Sequence, residues 1–210
     1  MIKLLQLNVT AYGQNCRIIY DEASKQALVV DPGGDFEHIK KELEAHELKV
    51  TTILLTHGHL DHIGAVAQLA QDTKAQIIGP AIEDKALIEG ISEQSMMLGL
   101  PSVESFDFKD VYDGEKITPI PNLTFMVLKT PGHTPGGVCF YCESFGFVLT
   151  GDTLFSGSIG RTDFPGGNYE ALIDSVHSKL MQLPDETRVL SGHGEDSTIG
   201  YERHHNPFLG

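Results

Sequence analysis

Residues 57–62 read His-Gly-His-Leu-Asp-His. Three imidazoles and one carboxylate within six residues have little structural use, and they are donor types that bind divalent metal ions. His57 and His59, one residue apart, can present both rings to one ion, while Asp61 and His62, where the chain turns into a helix, face a neighbouring position. Two adjacent metal sites are therefore expected. Further donors stand at His133 in TPGH, Asp152 in TGD and His193 in SGH. A lone histidine in such a place is ordinarily a satisfied surface or core residue. In company with the 57–62 cluster, the metal reading prevails. Donors of imidazole and carboxylate without thiolate suit zinc, taken as the default, and equally iron or manganese. Two close ions lower the pKa of a bridging water, polarise a carbonyl and stabilise an oxyanion, so the chemistry anticipated is hydrolysis by a metal-bound hydroxide.

Each donor is delivered by an apolar segment of strand character. ILLT runs into His57, VLKTPG into His133, FVLTG into Asp152 and RVLSG into His193. In a stacked α/β architecture such strand ends gather on one edge, where loops carry function and the strands beneath hold them. The chain opens with strands IKLLQLNV, NCRIIYD and ALVVDPGG, bounded by turn-forming residues. Phe36, Ile39 and Leu43 then recur at helical spacing, predicting an amphipathic helix from Asp35 to about His46. After THGHLDH, the residues Ile63, Val66, Ala67 and Ala70 predict a second helix, followed by a short strand in QIIGP. Residues 80–110 read as a helix over AIEDKALIEG, then SMMLGLPS and an acidic loop, a surface connection or a flap over the site. The second half repeats this order, with strands LTFMVLKT, GVCFYCE and FGFVLTG and a helix from about Tyr169 to Leu183, capped by Asn168. A strand RVLSG and a short helix near IGYERHH follow. Two sheet-and-helix halves predict a four-layer sandwich, helices outside and two sheets within.

At 210 residues, about two-fifths apolar, the chain is expected to close a single domain over 1–210. Its beginning lacks a signal-peptide pattern and no apolar run is long enough to span a bilayer, so a cytoplasmic protein without membrane partner is expected. Cys16, Cys139 and Cys142 form no framework, and no disulfide is expected. Cys139 and Cys142 have redox-motif spacing, but GGVCFYCES reads as strand rather than a loop-to-helix junction. A formal charge of −14 disfavours nucleic acid as a partner. His38, His46, His177, His204 and His205 receive no chemistry.

The order THGHLDH, PGH, GD, GH resembles the full signature of the metallo-β-lactamase superfamily, over essentially the whole chain. That resemblance implies the αββα fold, with His57, His59 and His133 on a first metal, Asp61, His62 and His193 on a second, more weakly and partly occupied, and Asp152 bridging them. Asp31 in VVDPGG stands where the family has an acid beside the metal histidines, and Asp61 would also orient the attacking hydroxide. SGSIGRTDFPGG and YERHHNPFLG are similar to the short bacterial type II glyoxalases, hydroxyacylglutathione hydrolase-like enzymes. Long type II glyoxalases add a C-terminal helical domain that helps hold glutathione, which this chain is expected to lack. They also have a basic residue followed two places later by Tyr; here Arg161 matches and Asp163 does not. Arg161 is expected to hold a substrate carboxylate. The resemblance implies a small-molecule thioester substrate, S-lactoylglutathione or a related acyl-glutathione, and a monomer or weak homo-oligomer is expected. The alternatives left open are an iron-dependent persulfide dioxygenase, a group that resembles the type II glyoxalases and shares a GRTDF-like segment, a phosphodiesterase or nuclease, and a non-enzymatic metal-binding module.

Overall fold

The computed structural model describes residues 1–97 and 102–210. The first sheet has the order β1 (Ile2–Val9), β2 (Gln14–Asp21), β3 (Gln26–Val30), β4 (Lys49–Leu54), β5 (Gln76–Ile78). The second has β6 (Lys116–Ile120), β7 (Leu123–Lys129), β8 (Val138–Cys142), β9 (Phe147–Gly151), β12 (Arg188–Ser191) and β13 (Ser197–Thr198), while β10 (Leu154–Phe155) and β11 (Ser158–Ile159) form a small hairpin.

Side-chain alternation divides each sheet between two cores, because successive residues of a strand point to opposite faces. Ala27 and Val29 of β3 pack with Ile39 and Leu43 of α1 (Phe36–Ala45) and Leu69 of α3 (Val66–Thr73). Leu28 and Val30 turn the other way, into a core shared with Phe125, Phe140 and Leu149 of the second sheet. Val148, Cys139 and Tyr141 face outward again, onto Leu172 and Val176 of α6 (Tyr169–Ser178) and Ile199 of α7 (Ile199–His205). The result is the four-layer αββα sandwich. Each fully buried Phe or Leu in these cores contributes roughly 1.5–3 kcal/mol by leaving water. Among the described residues, no helix is long and apolar enough to cross a membrane.

Strand direction explains the site. β3, β4 and β5 are parallel, as are β9 and β12, and β7 runs with them because both β7 and β9 are antiparallel to β8. The segments that follow β3, β4, β7, β9 and β12 therefore emerge at one edge, carrying Asp31, His57, His133, Asp152 and His193.

Several elements differ from the periodicity reading. The helix expected after His62 is two pieces, α2 (Leu60–Ile63) and α3, because Ala65 N–H is taken by the Pro32 carbonyl at 2.9 Å. The AIEDKALIEG helix becomes a 3-10 turn (Ile82–Asp84), α4 (Lys85–Glu89) and α5 (Ile91–Met97). The proposed flap falls partly on residues 98–101, outside the described residues. The Tyr169–Leu183 helix ends at Ser178 and continues as a 3-10 turn. Its Asn168 cap is present, Oδ1 accepting from Ala171 N at 3.0 Å. β6 and the two-residue strands β10, β11 and β13 fall outside the strands read from the sequence, the last three being too short to show alternation.

Candidate metal centre

The structure brings His57, His59, Asp61, His62, His133, Asp152 and His193 together at the common edge. The donor atoms of His57, His59 and His133 lie within 4.8 Å of one another, and so do those of Asp61, His62 and His193. Asp152 stands between the trios. Its Oδ1 is 3.2 Å from His62 Nε2, and its Oδ2 is 3.6 Å from both His133 Nε2 and His193 Nε2. Asp61 Oδ2 is 3.2 Å from His193 Nε2.

The outer nitrogen of most rings is already engaged, which sets the tautomer and frees the inner one. Thr56 Oγ1 gives its proton to Asp31 Oδ2 at 2.6 Å, so it accepts from His57 Nδ1 at 3.0 Å. His62 Nδ1 donates to Asp31 Oδ2 at 2.9 Å, His133 Nδ1 to the Arg161 carbonyl at 2.8 Å, and His193 Nδ1 to the Tyr12 carbonyl at 3.3 Å. The Nε2 atoms of these four rings are thereby turned inward. His59 contributes Nδ1 instead, 2.9 Å from His133 Nε2. Asp31 could itself complete a trio with His57 and His62, but Thr56 N, Thr56 Oγ1 and His62 Nδ1 already occupy its two oxygens. It orients those rings rather than offering a free donor.

These residues fit metal ions. Buried His57 Nε2 and Asp152 Oδ1 have no hydrogen-bond partner, a costly state unless something binds them. A Cβ on Gly192 would come within 2.3 Å of Asp152 Oδ1 and 2.6 Å of His62 Cε1, so only glycine leaves room there. Electrostatics points the same way. Burial, with the fields of His62 and His133, drives His57 well below the usual imidazole range, and burial with His133 pushes His59 down to about 4; both are held neutral, as ligands must be. Burial opposes ionisation of Asp61, but the His193 hydrogen bond and the His62 charge overcome it and hold the carboxyl below its ordinary value. Burial likewise opposes a charge on His62, yet Asp152 and Asp31 raise it well above its ordinary range. With several carboxylates converging, the centre demands positive charge. The donor chemistry and the two clusters are compatible with a dinuclear divalent centre, and nitrogen and oxygen donors leave the metal's identity open.

Arg161 lies above this centre. Its guanidinium is forked onto Asp163, Nε to Oδ1 and Nη2 to Oδ2, both at 2.7 Å, and stacks 3.8 Å from the centre of the Phe164 ring, which meets His59 edge-on. Asp61 also lines a groove of about 670 Å³, walled by Tyr12, Asp35, Gln68, Gln71 and Glu104 among others. Three supporting residues escaped the sequence reading. Asn15 Nδ2 donates to the Ser191 and Gly194 carbonyls, and Arg17 to the Ser191 carbonyl and Asp196, fastening the loop that carries His193. A lone cation inside the apolar strand NCRIIYD was the available signal for Arg17. Asp84, buried in a stretch that reads as ordinary amphipathic helix, left no comparable mark.

Fold and site together define the class: the chain belongs to the metallo-β-lactamase superfamily, whose sequence profile matches residues 9–193. It is 44% identical over 202 residues to the hydroxyacylglutathione hydrolase GloC of Haemophilus influenzae, covering 96% of this chain and 95% of that one. Among solved structures, the B3 metallo-β-lactamase BLEG-1 superposes with a TM-score of 0.90 at 36% identity, covering 99% of each chain. TTHA1623, solved in a di-iron-bound form, superposes with a TM-score of 0.87 at 34% identity, over 98% of this chain and 100% of that one.

Proposed function

We propose that the protein is a metal-dependent hydrolase that cleaves a thioester, S-lactoylglutathione or a related acyl-glutathione. The observation that carries the reading is the pair of inward-facing donor trios with Asp152 between them, and the likeness to a hydroxyacylglutathione hydrolase supports the substrate class. His57, His59 and His133 would hold the first ion, Asp61, His62 and His193 the second, and Asp152 would belong to both. Zinc is the first choice, with iron or manganese served by the same donors. Bound ions would supply Lewis acidity toward the carbonyl and lower the pKa of a water between them.

The remaining steps belong to the chain's own residues. Asp61, at the junction of the metal centre and the groove, is placed to orient the attacking water by accepting its hydrogen bond. The groove is large enough for an acyl group or part of a peptide-like carrier. A thiolate leaves without obligatory protonation, so the absence of a dedicated acid at the leaving side is no obstacle. Arg161 would receive a carrier carboxylate only by exchanging it for Asp163. The acidic composition fits a small-molecule substrate rather than a polyanion, and the protein is read as cytoplasmic, a monomer or weak homo-oligomer.

A persulfide dioxygenase is the second reading, favoured by the GRTDF segment and by the iron held in a structural relative. The two separate on metal and oxygen. Purified protein loaded with zinc or manganese should release free thiol from S-lactoylglutathione anaerobically, and His57→Ala or Asp61→Ala should abolish the release. Oxygen consumption with glutathione persulfide by the iron-loaded protein alone, with thioesters left intact, would replace the hydrolase reading.

A further inference from the structure

Asp84 is completely buried and has no cationic side chain as a hydrogen-bond partner. Its carboxylate accepts three hydrogen bonds from two separate loops. Oδ2 takes Gly58 N–H at 2.9 Å and Thr134 Oγ1–H at 2.8 Å, and Oδ1 takes Gly136 N–H at 2.6 Å. Gly58 lies between His57 and His59, at the end of a strand of the first sheet. Thr134 follows His133, in the loop joining two strands of the second sheet. One carboxylate thus ties together the loops that supply the first trio, across the seam between the sheets. The 3-10 turn before it is fastened to the same loop, Ala81 N–H donating to the Gly136 carbonyl at 3.0 Å. The approach is close: a Cβ on Gly136 would lie 2.5 Å from Asp84 N and 2.9 Å from Asp84 Cγ.

We infer that Asp84 is a positioning residue for the first metal site, setting the separation of the His57/His59 loop from His133 without touching the ion. The inference rests on the metal-centre reading above. An ionised carboxylate suits the task because it is acceptor-only and can receive donors from both loops at once, which no neutral side chain of its shape does. Asparagine is nearly isosteric but replaces one acceptor with an amide donor. Whichever way its amide turns, either Gly58 N–H or Gly136 N–H faces an NH2 group, so one of the backbone ties is lost and the spacing of the two loops is no longer fixed. The second trio shares the 57–62 segment, but none of Asp61, His62 and His193 has Asp84 as a hydrogen-bond partner: His62 is oriented by Asp31, and the loop that carries His193 is fastened by Asn15 and Arg17.

The test uses single-site backgrounds of the full chain. His193→Ala disables the second trio and His133→Ala the first, and zinc affinity in each is read by competition with a chelating dye. Adding Asp84→Asn to His193→Ala should weaken zinc binding by about 10- to 100-fold, the range for removing a partner that orients a ligand. Adding it to His133→Ala should leave affinity within about twofold, because no partner of the second trio is changed. Gly136→Ala attacks the same contact from the other side and should reproduce the selective loss with Asp84 intact. Unchanged affinity in Asp84→Asn/His193→Ala, or equal losses in both backgrounds, would overturn the assignment. Failure of the His193→Ala protein to bind zinc at all would instead strike the metal-centre reading.

Discussion

Asp31→Asn isolates the control of a ligand's tautomer from the control of the fold. Asp31 has φ of 48°, in the left-handed region that asparagine and aspartate enter more readily than other side chains, so Asn keeps the backbone whereas Ala would add strain. Its Oδ1 can continue to accept from Thr56 N–H, now 2.8 Å away. The amide nitrogen then replaces Oδ2, which serves both Thr56 Oγ1 and His62 Nδ1. The threonine hydroxyl can rotate to accept. His62 can avoid a donor–donor clash only by giving up its Nδ1 proton and keeping the one on Nε2, which leaves no lone pair toward Asp152 and His193 for a metal. Losing a ligand's orienting partner costs about 10- to 100-fold in metal affinity, or roughly 1.4 to 2.8 kcal/mol. The second equivalent of zinc should therefore bind that much more weakly in a chelator competition, and nitrogen-15 spectra of the zinc-free protein should show that His62 has lost its proton at Nδ1 while keeping the one at Nε2. The disturbed buried hydrogen bonds cost about 1–3 kcal/mol, which at about 2–4 °C per kcal/mol lowers the melting temperature by about 2–12 °C. Unchanged affinity for the second equivalent, with the proton still on Nδ1, would refute the reasoning.

Asp152→Ala should cut bound metal to roughly half or less, since its carboxylate faces histidines of both trios; metal content equal to the wild type would exclude bridging. Asp163→Ala frees the Arg161 fork and should raise kcat/KM for glutathione thioesters by about two- to fivefold, as expected for breaking an exposed pair, with no change for thioesters lacking a carboxylate; an equal change for both substrates would remove Arg161 from carboxylate recognition. Burial raises the Cys16 thiol, pushes Cys139 up to about 11 and raises Cys142, so at pH 8 a thiol reagent should label native protein slowly and unfolded protein at all three positions. Rapid labelling of the native chain would contradict the packing of Cys139 beneath α6 and of Cys142 between the sheets.

Local pattern was enough to place the donors. An apolar strand followed by glycine and a metal-binding side chain is legible because strand alternation and turn chemistry act over a few residues, and the parallel course of those strands then collects the donors at one edge. The same locality made α1 and the Asn168 cap readable. Where a long-range contact overrides periodicity, the reading failed: the Pro32 carbonyl divides the helix after His62, and the AIEDKALIEG pattern conceals the turn that buries Asp84. Arg161 shows the limit on function, since its residue type allows it to bind a carboxylate but only the folded loop shows Asp163 already in its fork. The sequence alone determined which residues could bind metal and which strands deliver them. The tertiary structure decided which nitrogen each ring turns inward and what holds the loops, because those choices depend on hydrogen-bond partners as distant in the chain as Arg17 and Asp196.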